Sequence, residues 1–183
     1  MPASGNLEQE VAELYARQAA GLTRYAATLA QDRDAARDAV QEAFFRYFLC
    51  RSAGQAIVSS KAWLFRVVRN YVFDQRKAAS RNTEDLESLR NLTSPETAAV
   101  TGGLADLLDG LPRIGLSPRE IECLRLRMED LRYQEIAGVM GLEAGTVGAL
   151  LARAHNKIRK AVNADAGRAF TGTLTGEKRY ASG

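Results

Sequence analysis

The sequence predicts an all-α protein of two small helical bundles, joined by a flexible acidic linker, with a helix-turn-helix in the second bundle. Three observations support this fold class. Apolar residues recur with the period of a helix in both halves of the chain, and no β-hairpin signal interrupts them. A stretch rich in acidic, polar and glycine residues separates the two periodic regions.

The composition is that of a globular protein without a membrane span. Of the 183 residues, 46% are hydrophobic and 26% are charged, and no run approaches the ~20 apolar residues that a span needs. The amino terminus has no export signal, and the well-separated Cys50 and Cys123 suit a reducing compartment. We therefore expect a cytoplasmic protein with no membrane insertion. One histidine and two scattered cysteines give no metal-ligand spacing, so neither a metal nor another cofactor is expected.

The charge distribution is more informative than the net charge of +3. Lys61 to Arg81 holds six basic residues and one acidic residue, whereas Asn82 to Gly110 holds six acidic residues and one basic residue. A second basic segment, Arg153 to Lys160, contains no acid. Two basic segments separated by an acidic connector predict a polyanion that is contacted at two places and repelled by the connector.

The first half of the chain predicts a three-helix unit. The apolar repeat from Leu7 to Leu29 indicates one amphipathic helix, and a second helix spans about Asp34 to Cys50. Arg51 to Val58 breaks the helical period and is predicted to be a loop before a third helix that runs to about Ala79. The expected caps of the second and third helices are Asp32 or Asp34, and Ser59 or Ser60.

The third helix combines a core stripe with a basic and aromatic surface. Trp63, Val67 and Tyr71 share one stripe, with Leu64 and Val68 beside it. Trp63 and Tyr71 are expected in the core, while Phe65 and Phe73 are the candidates for exposure. Aromatic rings beside cations suit single-stranded nucleic acid, because bases stack on rings and phosphates pair with cations.

The second half predicts a helix-turn-helix between Leu131 and Val162. Ser117 and Glu120 are expected to form a capping box for the helix that precedes this motif. Gly141 lies where the turn of the motif needs a positive φ. In such a motif the basic second helix enters the DNA major groove. The alternative is an ordinary αα-hairpin with a solvated basic face. A short helix is possible at Leu104 to Leu108. We expect a first helical domain at 6–81, a linker at 82–112, a second helical domain at 113–162 and a disordered tail at 163–183.

Four stretches together resemble the extracytoplasmic-function group of bacterial RNA polymerase sigma factors, over about Leu14 to Val162. They are RDAVQEAFFRYF from Arg37, KAWLFRVVRNYVFDQRK from Lys61, LSPREIECLRLRMEDLRYQEIAGVMG from Leu116 and TVGALLARAHNKIRK from Thr146. A helix-turn-helix alone occurs in many regulators, but its combination with AWLFRVVRN in this order is specific. The resemblance implies three partners: core RNA polymerase, promoter DNA as duplex and melted strand, and an anti-sigma factor.

The resemblance also implies three sets of site residues. The polymerase-binding set is Asp38, Gln41, Glu42 and Phe45. The set for the melted minus-ten element is Arg66, Arg69, Asn70, Phe73, Arg76 and Lys77, and the loop Ser52 to Ser60 would receive a flipped base. The set for the minus-thirty-five element is Gly145, Thr146, Gly148, Ala149, Arg153, His155 and Lys157.

The recognition helix departs from the usual pattern of this group. Gly148, Ala149 and Leu150 occupy positions where lysine, serine and arginine are common. Side chains this small do not form bidentate contacts to base edges. We therefore expect weak reading of the upstream element, through backbone approach, the Thr146, Arg153, His155 and Lys157 side chains, and groove shape.

Other classes of protein fit less of the chain. Leu116 to Gly141 also resembles the DNA-binding domain of response-regulator-type transcription factors, but the first unit is neither a receiver nor a ligand-binding domain. A sigma mimic that binds only an anti-sigma protein would not need the basic residues of Lys61 to Arg81. An enzyme is the poorest fit, because His155 is isolated and no nucleophile–base pair or phosphate loop is visible.

Overall fold

The computed structural model describes residues 4–30, 32–83 and 114–176, which form six α-helices and no β-strand. This confirms the all-α prediction. The chain divides into two compact units, Met1–Ala98 with Leu126–Ala144, and Ala99–Arg125 with Gly145–Gly183. The helices are α1 Ser4–Ala30, α2 Arg33–Ser52, α3 Ser60–Thr83, α4 Pro118–Met128, α5 Tyr133–Met140 and α6 Ala144–Gly176.

Aromatic pairs join the three long helices of the first unit. Each pair connects a different two of these helices, so the rings fix α1, α2 and α3 against one another. The ring centroids lie 4.9 Å apart for Tyr15 and Phe44, 5.3 Å for Tyr25 and Phe65, and 5.7 Å for Tyr47 and Trp63.

The predicted caps of α2 and α3 are confirmed. The Asp32 carboxylate accepts hydrogen bonds from the backbone amides of Asp34 and Ala35 at 3.3 and 3.1 Å. The Ser59 hydroxyl accepts one from the amide of Ala62 at 3.3 Å. These bonds satisfy donors that a helix cannot pair within its own first turn.

The buried face of α3 lies one position along the helix from the predicted one. Trp63, Val67 and Tyr71 are only half-buried, and Phe65, a candidate for exposure, is 1% exposed, so that expectation was wrong. The helix is apolar on several sides between Trp63 and Phe73, and the hydrophobic pattern alone therefore does not select one face. The fully buried stripe is Leu64, Phe65, Val68 and Val72.

The segment Leu126–Ala144 belongs to the first unit and is held there by two polar contacts. Arg24 Nη2 donates to Glu129 Oε1 at 2.8 Å, and the Ser59 hydroxyl donates to Glu135 Oε1 at 2.6 Å. The segment ends in the predicted turn, where Gly141 has a φ of 66° and caps α5. A side chain at that φ would be strained, so the glycine is required by the backbone.

The second unit contains the predicted capping box. The Ser117 amide donates to Glu120 Oε2 at 2.7 Å, and the Glu120 amide donates to the Ser117 hydroxyl at 3.3 Å. The buried apolar residues of α6 recur at helical spacing, three or four positions apart, and belong to the core of this unit. They are Val147, Leu150, Leu151 and Ala154.

Two helices run further than predicted. Helix α3 continues to Thr83, and α6 continues to Gly176 although a disordered tail was expected from residue 163. Residues 164–176 contain no proline, so the ladder of backbone hydrogen bonds is not interrupted, although three glycines lower the helix propensity there. The expectation relied on the glycines of this segment and on its weak apolar periodicity, and periodicity reports packing rather than backbone conformation. The remaining linker, 84–112, with its possible helix at Leu104 to Leu108, and residues 177–183 lie outside the described residues.

Candidate functional site

The four residues expected at the polymerase lie together on one face of α2. Their spacing of three and four places them on adjacent turns of the helix. With Tyr71 of α3 they line an open depression of about 270 Å³, whose members are Asp38, Gln41, Glu42, Phe45 and Tyr71. The sequence did not associate Tyr71 with this face, because only the packing of α3 against α2 brings it there.

Exposed apolar side chains continue this face toward the end of α2. Phe45 is 58% exposed, and Phe48 and Leu49 are exposed on the next turn. Of the two adjacent aromatic residues Tyr47 and Phe48, the structure buries Tyr47. Glu42 beside them accepts a hydrogen bond from Arg46 Nε at 2.6 Å. Adjacent exposed apolar residues next to acids are typical of a protein-binding surface.

The basic face of α3 presents cations and one aromatic ring to solvent. Phe73 is 41% exposed, as expected, and the guanidinium carbon of Arg69 lies 4.6 Å from its ring centroid. This cation–π contact holds the ring and the charge side by side, an arrangement that suits a base and its phosphate. Arg76 Nη1 donates to the carbonyl of Leu29 at 3.3 Å. The other exposed members of the predicted set are Arg66, Asn70 and Lys77.

The loop between α2 and α3, residues 53–59, lies at one end of this basic helix. Gly54 ends α2's last turn with a φ of 76°, a value that favours glycine. Val58 is fully exposed, and Ser59 caps α3. The loop therefore presents a side chain to solvent from between two fixed helix ends.

Helix α6 presents small residues on its exposed face. Gly145, Thr146 and Ala149 are exposed and Gly148 is half-buried. None of these has a side chain long enough for a bidentate contact to a base edge. Two larger members of the predicted set, Arg153 and His155, are exposed further along the helix.

Lys157 differs from the rest of the predicted minus-thirty-five set. Its ammonium donates to Glu120 Oε2 at 2.8 Å and to the carbonyl of Gly115 at 2.9 Å. Glu120 is 3% exposed. The hydrogen bond from Lys157, followed by the one from the Ser117 amide, holds the pKa of the Glu120 carboxyl below its usual value. Lys157 thus compensates a buried carboxylate inside its own unit.

The part of the chain that the structure describes contains no cluster of metal ligands, and its buried cysteine is not an activated nucleophile. No group of three or more His, Cys, Asp or Glu residues could hold a metal ion there. Burial raises the pKa of the Cys123 thiol to about 11, which keeps it protonated near neutral pH. Among the same residues no single helix is long and apolar enough to cross a membrane. Only α5 and the first part of α6, counted together across the break between them, reach that length and apolar composition.

Comparison with known families identifies both halves of the chain. Residues 14–82 match the family model for Sigma-70 region 2, and residues 115–158 match that for Sigma-70, region 4. The ECF RNA polymerase sigma factor SigL of Mycobacterium tuberculosis is 32% identical over 152 residues, which cover 80% of this chain and 85% of the relative.

Two solved structures share the fold. The sigma factor RpoE from Bartonella quintana, in complex with the anti-sigma factor NepR, superposes with a TM-score of 0.63 at 24% identity, covering 87% of this chain and 98% of that one. CnrH, in complex with the cytosolic domain of CnrY, superposes with a TM-score of 0.56 at 21% identity, covering 86% of this chain and 90% of that one. At these identities the likeness concerns the fold alone.

Proposed function

Because this chain belongs to the extracytoplasmic-function group of RNA polymerase sigma factors, we propose that it binds core RNA polymerase, recognises promoter DNA and promotes strand opening. A role in transcription initiation follows from membership of the family. The finer assignment depends on one observation above all, the separation of an acidic–apolar face on α2 from a basic–aromatic face on α3. Two surfaces of different chemistry on one small unit suit two different partners.

The α2 face is the proposed polymerase-binding surface. Asp38 and Glu42 supply negative charge beside the exposed Phe45 ring, a combination that suits a basic and partly apolar partner. An exposed aromatic ring with low conformational entropy is typical of the residues that contribute most to protein interfaces.

The α3 face and the loop 53–59 are the proposed site for the melted minus-ten strand. The cations would neutralise phosphates, and Phe73 beside Arg69 would stack on an unpaired base. The exposed loop, with Val58 at its surface, would receive a flipped base.

The carboxy-terminal helix-turn-helix is the proposed site for duplex DNA at the minus-thirty-five element. We assign phosphate contacts to Arg153 and His155, and close backbone approach to Gly145 and Gly148. Lys157 is assigned instead to holding Glu120. Small residues at the groove favour reading of DNA shape over base edges. In this proposal 6–81 and 113–162 are the two DNA-binding domains, and 82–112 is their linker.

An anti-sigma factor is proposed as a further partner. This rests on the RpoE relative, which was solved in complex with the anti-sigma factor NepR. With core polymerase and promoter DNA as its other partners, the protein is assigned to the cytoplasm.

Run-off transcription tests the proposed function. Purified core RNA polymerase is incubated with genomic promoter fragments, with and without the chain, and the transcripts are mapped. We expect transcripts with defined starts only when the chain is present. Failure of the chain to bind core polymerase would reject the assignment and leave an operator-binding regulator in its place.

A triple variant separates strand opening from polymerase binding. Replacement of Arg66, Arg69 and Lys77 with alanine should reduce permanganate-reactive thymines at the start site while leaving affinity for core polymerase unchanged, because melted DNA is their proposed partner. Equal losses in both measurements would count against the α3 assignment.

A further inference from the structure

A carboxylate near the start of α1 joins all three helices of the first bundle. Arg51, in the last turn of α2, donates to both oxygens of Glu10, from Nε at 3.1 Å and from Nη2 at 3.2 Å. The Tyr47 hydroxyl donates to the same Oε1 at 2.8 Å. A paired guanidinium and carboxylate of this kind is geometrically specific as well as strong.

The direction of the next hydrogen bond follows from the number of protons available. The Tyr47 hydroxyl lies 2.8 Å from the hydroxyl of Ser60, the first residue of α3. Since the single phenolic proton is donated to Glu10, Ser60 must be the donor to Tyr47. The Tyr47 side chain is buried and packs edge-on against Trp63 at 5.7 Å. Hydrogen bonds from Arg51 and then Tyr47 hold the pKa of Glu10 below its usual value, so it is an anion near neutral pH.

This cluster holds both ends of the loop 53–59. At the first end, Arg51 Nη1 donates to the carbonyl of Gln55 at 3.2 Å. At the other end, the loop runs into Ser60, which is bonded to Tyr47. Between these two points Val58 is fully exposed. The loop tip is thus open to solvent, while its ends are attached to one hydrogen-bonded set of side chains, of which Tyr47 is buried and Glu10 and Arg51 are partly exposed.

We infer that Glu10, Arg51 and Tyr47 are positioning residues, which fix the two ends of the loop 53–59 so that it receives a flipped base in a preformed conformation. The inference rests on the proposed function of this loop. A binding loop that is ordered before its ligand arrives does not lose that conformational freedom on binding, and binds more tightly for that reason. The residues act through the loop backbone rather than by touching DNA.

Glu10 lies outside the part of the chain that matches the region 2 model, although it belongs to the same compact unit. The match to Sigma-70 region 2 begins at residue 14, whereas Arg51, Tyr47 and Ser60 all lie inside it. The acid that organises the cluster therefore comes from α1 residues before the matched region. A boundary drawn at residue 14 would remove it.

The test measures binding of single-stranded DNA by the holoenzyme formed from the full chain and core polymerase. The probe is a fluorescent oligonucleotide with the non-template minus-ten segment of a promoter found by run-off transcription, and a second series replaces each base in turn by an abasic site. The wild type should lose affinity at the flipped position. Glu10→Gln should weaken binding of the intact oligonucleotide about fivefold, the equivalent of one lost hydrogen bond, and should bind the abasic oligonucleotide as the wild type does.

Two further variants distinguish positioning from a general folding defect. Tyr47→Phe keeps the packed ring but removes the hydroxyl, and should show the same base-dependent loss. Glu13→Gln removes an exposed acid that pairs with Arg17 on the same helix, and should bind both oligonucleotides normally. Equal weakening of both oligonucleotides by Glu10→Gln, or no weakening of either, would overturn the inference. A wild type that tolerates an abasic site at every position would instead overturn the proposed function, and the inference with it.

Discussion

Lys157 donates a 2.8 Å hydrogen bond to Glu120 within the second unit, linking a basic residue of α6 to the first turn of α4. The carboxylate is buried, while the lysine side chain is 39% exposed. The same carboxylate accepts from the Ser117 amide, so one acid both caps α4 and binds α6. This pair stabilises the fold of the second unit, whereas Arg153 and His155 on the same helix are exposed.

The first prediction concerns pH. The folded pKa of Glu120 is depressed, so its contribution to stability is fully present above the unfolded pKa of ~4.3 and is lost as pH falls through the folded value. Glu120→Gln should lower the free energy of unfolding by about 1–2 kcal/mol at pH 7. The difference from wild type in thermal melts should shrink as the buffer is taken from pH 6 toward pH 3. A difference that stays constant over this range would show that the charge of Glu120 does not matter, and the exposed Glu143→Gln is the matched control at pH 7.

The second prediction contrasts two cations of α6. Arg153 is exposed, so Arg153→Ala should reduce the slope of log K against log salt by about 1 for holoenzyme binding to a duplex minus-thirty-five fragment. Lys157→Met should lower thermal stability and leave that slope unchanged, because its ammonium is engaged by Glu120. Equal slope reductions by both variants would mean that Lys157 leaves Glu120 to contact phosphate.

The third prediction concerns the α2 face. Asp38→Lys and Glu42→Lys should each weaken affinity for core polymerase at least tenfold, because they put positive charge where a basic partner is proposed. Fluorescence anisotropy of labelled chain titrated with core polymerase measures this. Glu13→Lys is the control: Glu13 also pairs with an arginine one turn along its helix, at 3.9 Å, but lies outside the depression. Unchanged affinity in the α2 variants would reject this surface.

The fourth prediction separates two phenylalanines of α3. Phe65→Ala should cost about 3–5 kcal/mol in urea unfolding, since the ring is buried against Tyr25. Phe73→Ala should cost about 0.5–1 kcal/mol, the magnitude of an exposed cation–π contact with Arg69, but should reduce open-complex formation. Comparable destabilisation by the two variants would contradict the assignment of Phe73 to the DNA-binding face.

Local signals in the sequence were sufficient for the helices and their caps. The capping residues Asp32, Ser59 and Ser117, and the left-handed turn at Gly141, follow from short-range backbone chemistry that any packing would preserve. The lengths of α3 and α6 were underestimated, because helix propensity without an apolar stripe gives no clear end signal.

Contacts between distant residues decided the rest. Phe65 and Phe73 have the same chemistry and similar neighbours on one helix, and only the positions of α1 and α2 bury the first and expose the second. Likewise, nothing adjacent to Lys157 in the sequence distinguishes it from Arg153, since its partner Glu120 is 37 residues away.

Residue spacing alone was enough to predict an all-helical chain with acidic–apolar, basic–aromatic and helix-turn-helix segments in a fixed order, because these features depend on positions along single helices. The tertiary structure decided which cations remain available to DNA and how the loop 53–59 is held. These depend on Glu10 meeting Arg51 and on Glu120 meeting Lys157. The partners are 41 and 37 residues apart, so the packing of different helices creates the pairings and no local pattern encodes them.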